Sequence, residues 1–191
     1  MTLMRIGLFG GTFNPVHQGH LLLAEGARAQ LSLDQLLWIP ANAPPHKPLE
    51  GNATPEERCR MVELAIAGHS AFELCRLELD RPGPSYTVET LRQLHRDQPG
   101  VTWYFIVGSD MVPELLQWRA AGEAMRLATF VAVSRPQAPA GSWPEGVRRL
   151  EIPTVDVSSS DIRQRVRDGR SVRYLVPDPV RDYIAAHHLY A

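Results

Sequence analysis

A chain of 191 residues, 44% apolar and 21% charged, is long enough for one ordinary hydrophobic core and is balanced like a soluble globular protein. Its formal net charge of −1 argues against a surface built for nucleic acid or a membrane, and no apolar run approaches the roughly 20 residues of a membrane span. Cys59 and Cys75 offer no disulfide framework, and the N-terminus runs straight into a strand with no room for a signal peptide, so a cytoplasmic chain is expected.

Strands and helices alternate along the chain. Met4 to Phe9 reads as a first strand, and Leu21 to Ala29 as the body of a helix. Leu36 to Ile39 is a second strand ending at Pro40, followed by a proline-stiffened loop that carries His46 and Lys47. Thr54-Pro55-Glu56-Glu57 has the form of a capping box with proline at the first helical position, opening a helix to about Ala67. Phe72 to Leu79 is expected as a third strand, and Ser85 to Asp97 as a helix with Val88, Leu91 and Leu94 on one face. Val101 to Val107 is almost entirely apolar or aromatic, as a strand buried on both faces should be.

Gly108-Ser109-Asp110 follows directly, with helical segments to Leu116 and from Ala120 to Arg126. Thr129 to Val133 is a fifth strand, ending at Ser134-Arg135-Pro136. Residues 137–149, rich in Pro, Gly and Ala, are the best candidate for a mobile loop, and Leu150 to Val155 for a last strand. Helices are expected from about Ser158 to Gly169 and from Asp178 to His187. The sum is a doubly wound parallel α/β sheet in one domain, residues 1–191, with a C-terminal helical part from about 157.

The stretch from Gly10 to His20 lies where the first strand hands over to the first helix, the place where an open α/β sheet holds its ligand. Gly10 and Gly11 lack Cβ atoms, so the backbone can take unusual dihedrals and let a phosphate oxygen approach. The following helix adds the positive end of its dipole. His17 and His20, three apart, share a face on a first helical turn, and Gly19 keeps that face clear. Two imidazoles there suit a triphosphate, which would raise their pKa and add charge. Metal ligation is the competing use, but no third ligand with zinc spacing stands nearby. Neither a Walker loop nor a Gly-x-Gly-x-x-Gly fingerprint occurs.

Read as Gly-Gly-Thr-Phe-Asn-Pro-Val-His-Gln-Gly-His, this stretch resembles the His-x-Gly-His signature of the nucleotidylyltransferase superfamily, with Asn14 in place of the commoner Asp. The run Val157-Ser158-Ser159-Ser160-Asp161-Ile162-Arg163 is read from its residues as a helix N-terminus, either a plain cap or an anion site with Arg163 as a fork. It resembles the superfamily's second signature, Ile-Ser-Ser-Thr-x-Ile-Arg. Together they imply a Rossmann-like fold and an ATP site with contacts from Gly10, Gly11, Thr12, Phe13, His17, His20, Ser158, Ser159, Ser160 and Arg163.

Trp38 to Lys47, Pro84 to Leu91, Gly108-x-Asp110 with Leu115 and Trp118, and the run from Val176 to Tyr190 are similar to the nicotinate-nucleotide adenylyltransferase branch. The resemblance implies that Trp118 stacks on the pyridine ring and that backbone N–H groups at Thr87 and Arg119, beside Ser85 and Tyr86, meet the nicotinate carboxylate. It puts Asp110, past Gly108, on a ribose hydroxyl and Arg135 near adenine or its phosphates. Plainer uses stay open: a core tryptophan for Trp118, a helix cap for Asp110, a surface arginine for Arg135 and an exposed lysine for Lys47.

The implied reaction is adenylyl transfer from ATP to nicotinate mononucleotide, with His17, His20, Lys47 and Arg163 as the catalytic groups and Mg²⁺ carried in on ATP. Rival readings are another transferase on the same scaffold, acting for example on nicotinamide mononucleotide, and a catalytically silent nucleotide-binding regulator. A homo-oligomer is compatible with the sequence; a nucleic-acid or membrane partner is not expected.

Overall fold

The computed structural model describes residues 3–43, 51–134, 144–153 and 155–191. Six parallel strands form one sheet: β1 (Arg5–Gly11), β2 (Gln35–Pro40), β3 (Phe72–Leu74), β4 (Thr102–Gly108), β5 (Thr129–Ser134) and β6 (Arg148–Glu151). Their order is β3-β2-β1-β4-β5-β6. The chain leaves the centre in one direction after β1 and returns to fill the other side with β4, so the strand order reverses between β1 and β4. That switch point opens a crevice at the carboxyl ends of the two strands.

Strand alternation feeds two core layers. Ile6, Leu8, Trp103 and Phe105 go to one, packed under α3 (Thr87–Asp97) and α4 (Ala121–Leu127). Phe9, Trp38, Tyr104 and Ile106 go to the other, under α1 (Gln18–Leu31), α2 (Pro55–Ile66), α5 (Ser159–Arg167) and α6 (Asp178–Ala186). A sheet covered on both faces needs strands apolar on both faces, which β4 supplies almost without a break. Thr54 caps α2 through the expected reciprocal pair with Glu57, at 3.2 and 2.7 Å. Among the described residues no helix is long and apolar enough to cross a membrane.

Several boundaries differ from expectation, each for a local reason. The third strand stops at Leu74, because a turn closed by Asp80 N–H on the Arg76 carbonyl (3.0 Å) takes the chain away. α3 begins at Thr87 rather than Ser85: Ser85 N–H goes to the Ala43 carbonyl and its hydroxyl accepts from Asn42 N–H, both at 3.1 Å. The segment after β4 is a 3-10 helix, Ser109–Gln117, with Pro113 inside it, and proline lacks the N–H an α-helix would use. The last strand begins at Arg148, within the segment expected to be a loop, and pairs Val131 with Arg148 and Val133 with Leu150. Of the rest of that loop reading, 144–147 form a turn closed by Val147 N–H on the Pro144 carbonyl at 3.2 Å, and 137–143 lie outside the described residues.

Candidate active site

β1 ends at Gly11, and six residues, the last of them the N-cap His17, lead into α1. The unusual dihedral of this turn falls on Phe13, at φ 47°, whereas neither Gly10 nor Gly11 has a positive φ. The expectation that the glycines carry the strain is therefore corrected. Gly11 is needed for space: a Cβ there would stand 2.9 Å from Cζ of Phe13, whose ring folds back over it. Phe13 is buried and meets Phe9 edge-on, with centroids 5.4 Å apart.

His17 is the N-cap of α1 and His20 the third residue of its first turn. The two cap each other: His17 N–H donates to His20 Nδ1 (3.2 Å) and His20 N–H donates to His17 Nδ1 (3.4 Å). Their rings stack at 3.7 Å. With both Nδ1 atoms used as acceptors, each neutral ring carries its proton on Nε2, so both are fixed as Nε2–H donors. Part of the His20 surface still touches solvent, but the ring packs against Phe13 (5.2 Å) and Phe9 (6.0 Å). This desolvation, with His17 as a second cause, holds the His20 pKa well below the ordinary histidine value. His20 is thus a neutral donor here, and the added charge expected from the sequence is tied to a bound polyanion.

Gly19 does not keep an open face. A Cβ there would come within 3.1 Å of both the His17 ring and Cγ1 of Val157, so this glycine admits the chain leading into α5. That approach joins the two ends of the sequence. Ser159 Oγ donates to the Pro15 carbonyl at 2.9 Å, and Arg163 Nη1 donates to the Asn14 carbonyl at 2.8 Å. Ser158 caps α5 by accepting from Asp161 N–H, and Ser160 accepts from Arg163 Nη2 at 3.2 Å. Each serine of the run has its own task, where a plain cap would use one. Arg163 is buried, and its guanidinium braces the β1–α1 loop.

Across the switch point, Gly108 ends β4 and Asp110 follows in the first turn of the 3-10 helix with its carboxylate exposed. Gly108, not Asp110, holds the cap position, which removes the capping reading for Asp110. Trp118 closes this helix half-buried, edge-on to Phe105 with centroids 6.1 Å apart. Its indole N–H has no partner among the described residues. The Arg119 guanidinium lies over the Tyr86 ring at 4.8 Å, drawing the Trp118 segment onto the start of α3. Thr87 is the first residue of α3, where backbone N–H groups lack intrahelical partners and favour a carboxylate. Beneath it, burial pushes the Glu78 carboxyl above its ordinary pKa while the Thr90 hydroxyl donates to it at 2.7 Å. Lys47 and Arg135 lie outside the described residues.

Sequence reasoning missed three residues that hold the crevice together. Arg58 on α2 is fully buried and donates to the carbonyls of Thr12 (2.6 Å), Ala41 (2.8 Å) and Asn42 (3.2 Å). Tyr190 donates its hydroxyl to Asn14 Oδ1 at 2.7 Å, and burial pushes its phenol pKa upward. Asn52 clips the same C-terminal end by accepting from Tyr190 N–H at 2.7 Å. Arg58 had a signal, since it stands one helical turn before Val62 on the apolar face of α2. Tyr190 ends the Val176–Tyr190 run that carries part of the family resemblance, but nothing there gave its side chain a role, and Asn52 had no signal.

Residues 8–165 match the cytidylyltransferase-like family. A protein of a Synechococcus strain, named probable nicotinate-nucleotide adenylyltransferase, is 48% identical over 195 residues, covering 97% of this chain and 94% of its own. One of the same name from Thermus thermophilus is 48% identical over 188 residues, covering 98% of this chain and all of its own. In three dimensions the chain is similar to the nicotinic acid mononucleotide adenylyltransferase of Plasmodium falciparum solved with NaAD, at TM-score 0.83 over 98% of this chain and 97% of the other. At 19% identity that likeness speaks for the fold.

Proposed function

Since the chain belongs to the cytidylyltransferase-like family and, within it, to the nicotinate-nucleotide adenylyltransferases, we propose that it joins ATP and nicotinate mononucleotide across the β1–β4 crevice. The products are nicotinate adenine dinucleotide and pyrophosphate, a step of NAD synthesis. The observation that carries this reading is the seating of α5 on the β1–α1 loop, through Ser159 on Pro15 and Arg163 on Asn14. Two anion-suited segments at opposite ends of the chain are thereby brought together, as binding of one triphosphate requires.

The 5′-phosphate of the mononucleotide attacks the α-phosphorus of ATP, one P–O bond forms, and the bond to the β-phosphate bridge breaks to release pyrophosphate. A phosphate monoester is already mostly dianionic at neutral pH, with a second pKa of about 6, so no general base is needed. Rate then comes from alignment and charge neutralisation. His17 and His20 offer Nε2–H donors to phosphate oxygens, and the α1 N-terminus favours the same charge. Contact with the polyanion raises the His20 pKa from its depressed value and strengthens the bond. Gly10, Gly11, Thr12 and Phe13 shape the floor of the ATP pocket. Lys47 is assigned to the transferring phosphates, and Arg163 with Ser158, Ser159 and Ser160 closes the wall opposite the histidines.

For the mononucleotide, Trp118 supplies the pyridine platform, the N–H groups of Thr87 and Arg119 meet the carboxylate, and Ser85 and Tyr86 set that loop. Asp110 holds ribose and Arg135 the adenine side. Among the described residues no three His, Cys, Asp or Glu side chains stand where they could hold a metal. The divalent ion that the family's chemistry suggests is assigned as Mg²⁺, which would arrive with ATP and neutralise phosphate charge. The enzyme is read as one nucleotidylyltransferase domain working in the cytoplasm.

Pyrophosphate release by the purified chain with ATP and Mg²⁺ tests this, with nicotinate mononucleotide, its amide, phosphopantetheine and glycerol 3-phosphate offered separately. Strong preference for the acid is expected. Equal use of the amide would overturn the carboxylate assignment, and silence with all four would overturn the catalytic reading.

A further inference from the structure

Arg58 is charged and has 0% relative exposure, yet no carboxylate pairs with it among the described residues. A buried charge is costly to keep unless its surroundings are built around it. Here the surroundings are carbonyl oxygens, and they belong to two different loops. Nη1 reaches Thr12, in the β1–α1 loop that carries the histidines. Nη2 reaches Ala41 and Asn42, in the loop that leaves β2. The second loop is in turn bound to the start of α3: Asn42 N–H donates to Ser85 Oγ, and Ser85 N–H donates to the Ala43 carbonyl, both at 3.1 Å. One guanidinium thus stands in a continuous line of hydrogen bonds from the ATP loop to the loop before Thr87.

We propose that Arg58 is a positioning residue that fixes the ATP-binding loop and the mononucleotide-binding loop at the separation in-line transfer requires. The inference rests on the adenylyltransferase reading for what the two loops bind. In a reaction without a general base, relative placement of two phosphates is a main source of rate, and a misplacement of about 1 Å can cost about 100-fold. Both substrates would still bind to their own loops without the strut, but they would meet out of line. A planar fork with donors on two nitrogens is the side chain able to grip both loops at once; lysine keeps the charge but is a single point.

Two readouts test the strut on the full-length protein. In amide hydrogen exchange without substrates, Arg58→Lys should speed exchange at Asn42 and Ser85 by about tenfold while β1 and β4 amides stay protected. In steady-state assays, kcat should fall by about 10- to 100-fold with KM for each substrate moving less than about threefold. Ser85→Ala alters a half-buried part of the same line and should give the same split if Arg58→Lys fails to fold. The double variant should lose no more kcat than the worse single one, because both cut one linkage. Additive losses, unchanged exchange at Asn42 and Ser85, or a kcat loss that vanishes on cooling would overturn the proposal. A wild-type chain inactive on nicotinate mononucleotide would instead overturn the functional reading, while the exchange result would still decide whether Arg58 joins the loops.

Discussion

On the phosphate side of the crevice, Asn14, Pro15, His17, Ser159 and Arg163 are bonded or packed against one another, with links that span 144 and 149 residues of sequence. On the mononucleotide side, Asp110 and Arg119 are exposed, Trp118 is half-buried, and the Trp118 segment is drawn to the start of α3 by a guanidinium resting on the Tyr86 ring. The contrast follows from what each side has to do. Charge that develops at the α-phosphorus is stabilised only by donors already in place, because reorienting them during reaction would cost what they return. A pyridine ring needs a flat apolar surface and a few N–H groups, which a less tightly bound loop can offer. Among groups that touch substrate, losses on the first side should therefore appear in turnover and losses on the second in substrate affinity, whereas a break in the Arg58–Ser85 line between the two sides should appear in turnover.

After loss of the histidine donors, the largest break in this comparison should come from Arg163→Lys. It keeps the charge but loses the fork that holds both Asn14 O and Ser160 Oγ. We expect kcat/KM for ATP to fall by about 100-fold, on the scale of removing one preorganised donor, with KM for the mononucleotide nearly unchanged. Initial-rate measurements varying each substrate in turn would check it. Trp118→Ala should do the reverse, raising KM for nicotinate mononucleotide by about tenfold for the lost aromatic contact while KM for ATP holds. If both constants rose together, the two sides would not be separable.

The smallest effect is in stability against pH. The His20 pKa is lowered in the folded protein, so below the unfolded value of about 6.5 the unfolded chain takes up a proton that the folded one resists. Stability contributed by neutral His20 is full above that pH and is lost as pH falls through it toward the folded-state value. Thermal unfolding of wild type and His20→Asn from pH 8 to 5 should show their stability difference shifting against wild type as pH drops. A constant difference would mean that His20 is not held neutral.

Much of the fold was readable because a doubly wound sheet forces a pattern on its strands. β4 and β5, central and covered on both faces, show it as apolar runs, and the Thr54–Glu57 cap announces α2 by chemistry alone. The errors fall where tertiary bonds outrank local preference. Ser85 is drawn out of α3 by the loop after β2, and Arg148 joins the sheet because β5 offers it a partner. In the candidate site, the serine run and the histidine pair were visible as residue types. That Ser159 and Arg163 bind the β1–α1 loop itself is a contact between distant segments, which spacing cannot show. Phe13 is instructive for the same reason: a left-handed φ on a bulky residue is held by the packing of its ring, and no local rule would place it there.

The central claim is that the histidine turn of α1 serves the transferring phosphates rather than the retention of substrate. The direct test is to measure, for His20→Ala, the turnover number for pyrophosphate release and, separately, the dissociation constant of nicotinate mononucleotide. The structure predicts a turnover loss of about 100-fold or more, on the scale of a lost transition-state donor, with mononucleotide affinity changed less than about threefold. Comparable losses in both would contradict it, and would make the histidine pair a structural cap of α1 instead of a phosphate clamp.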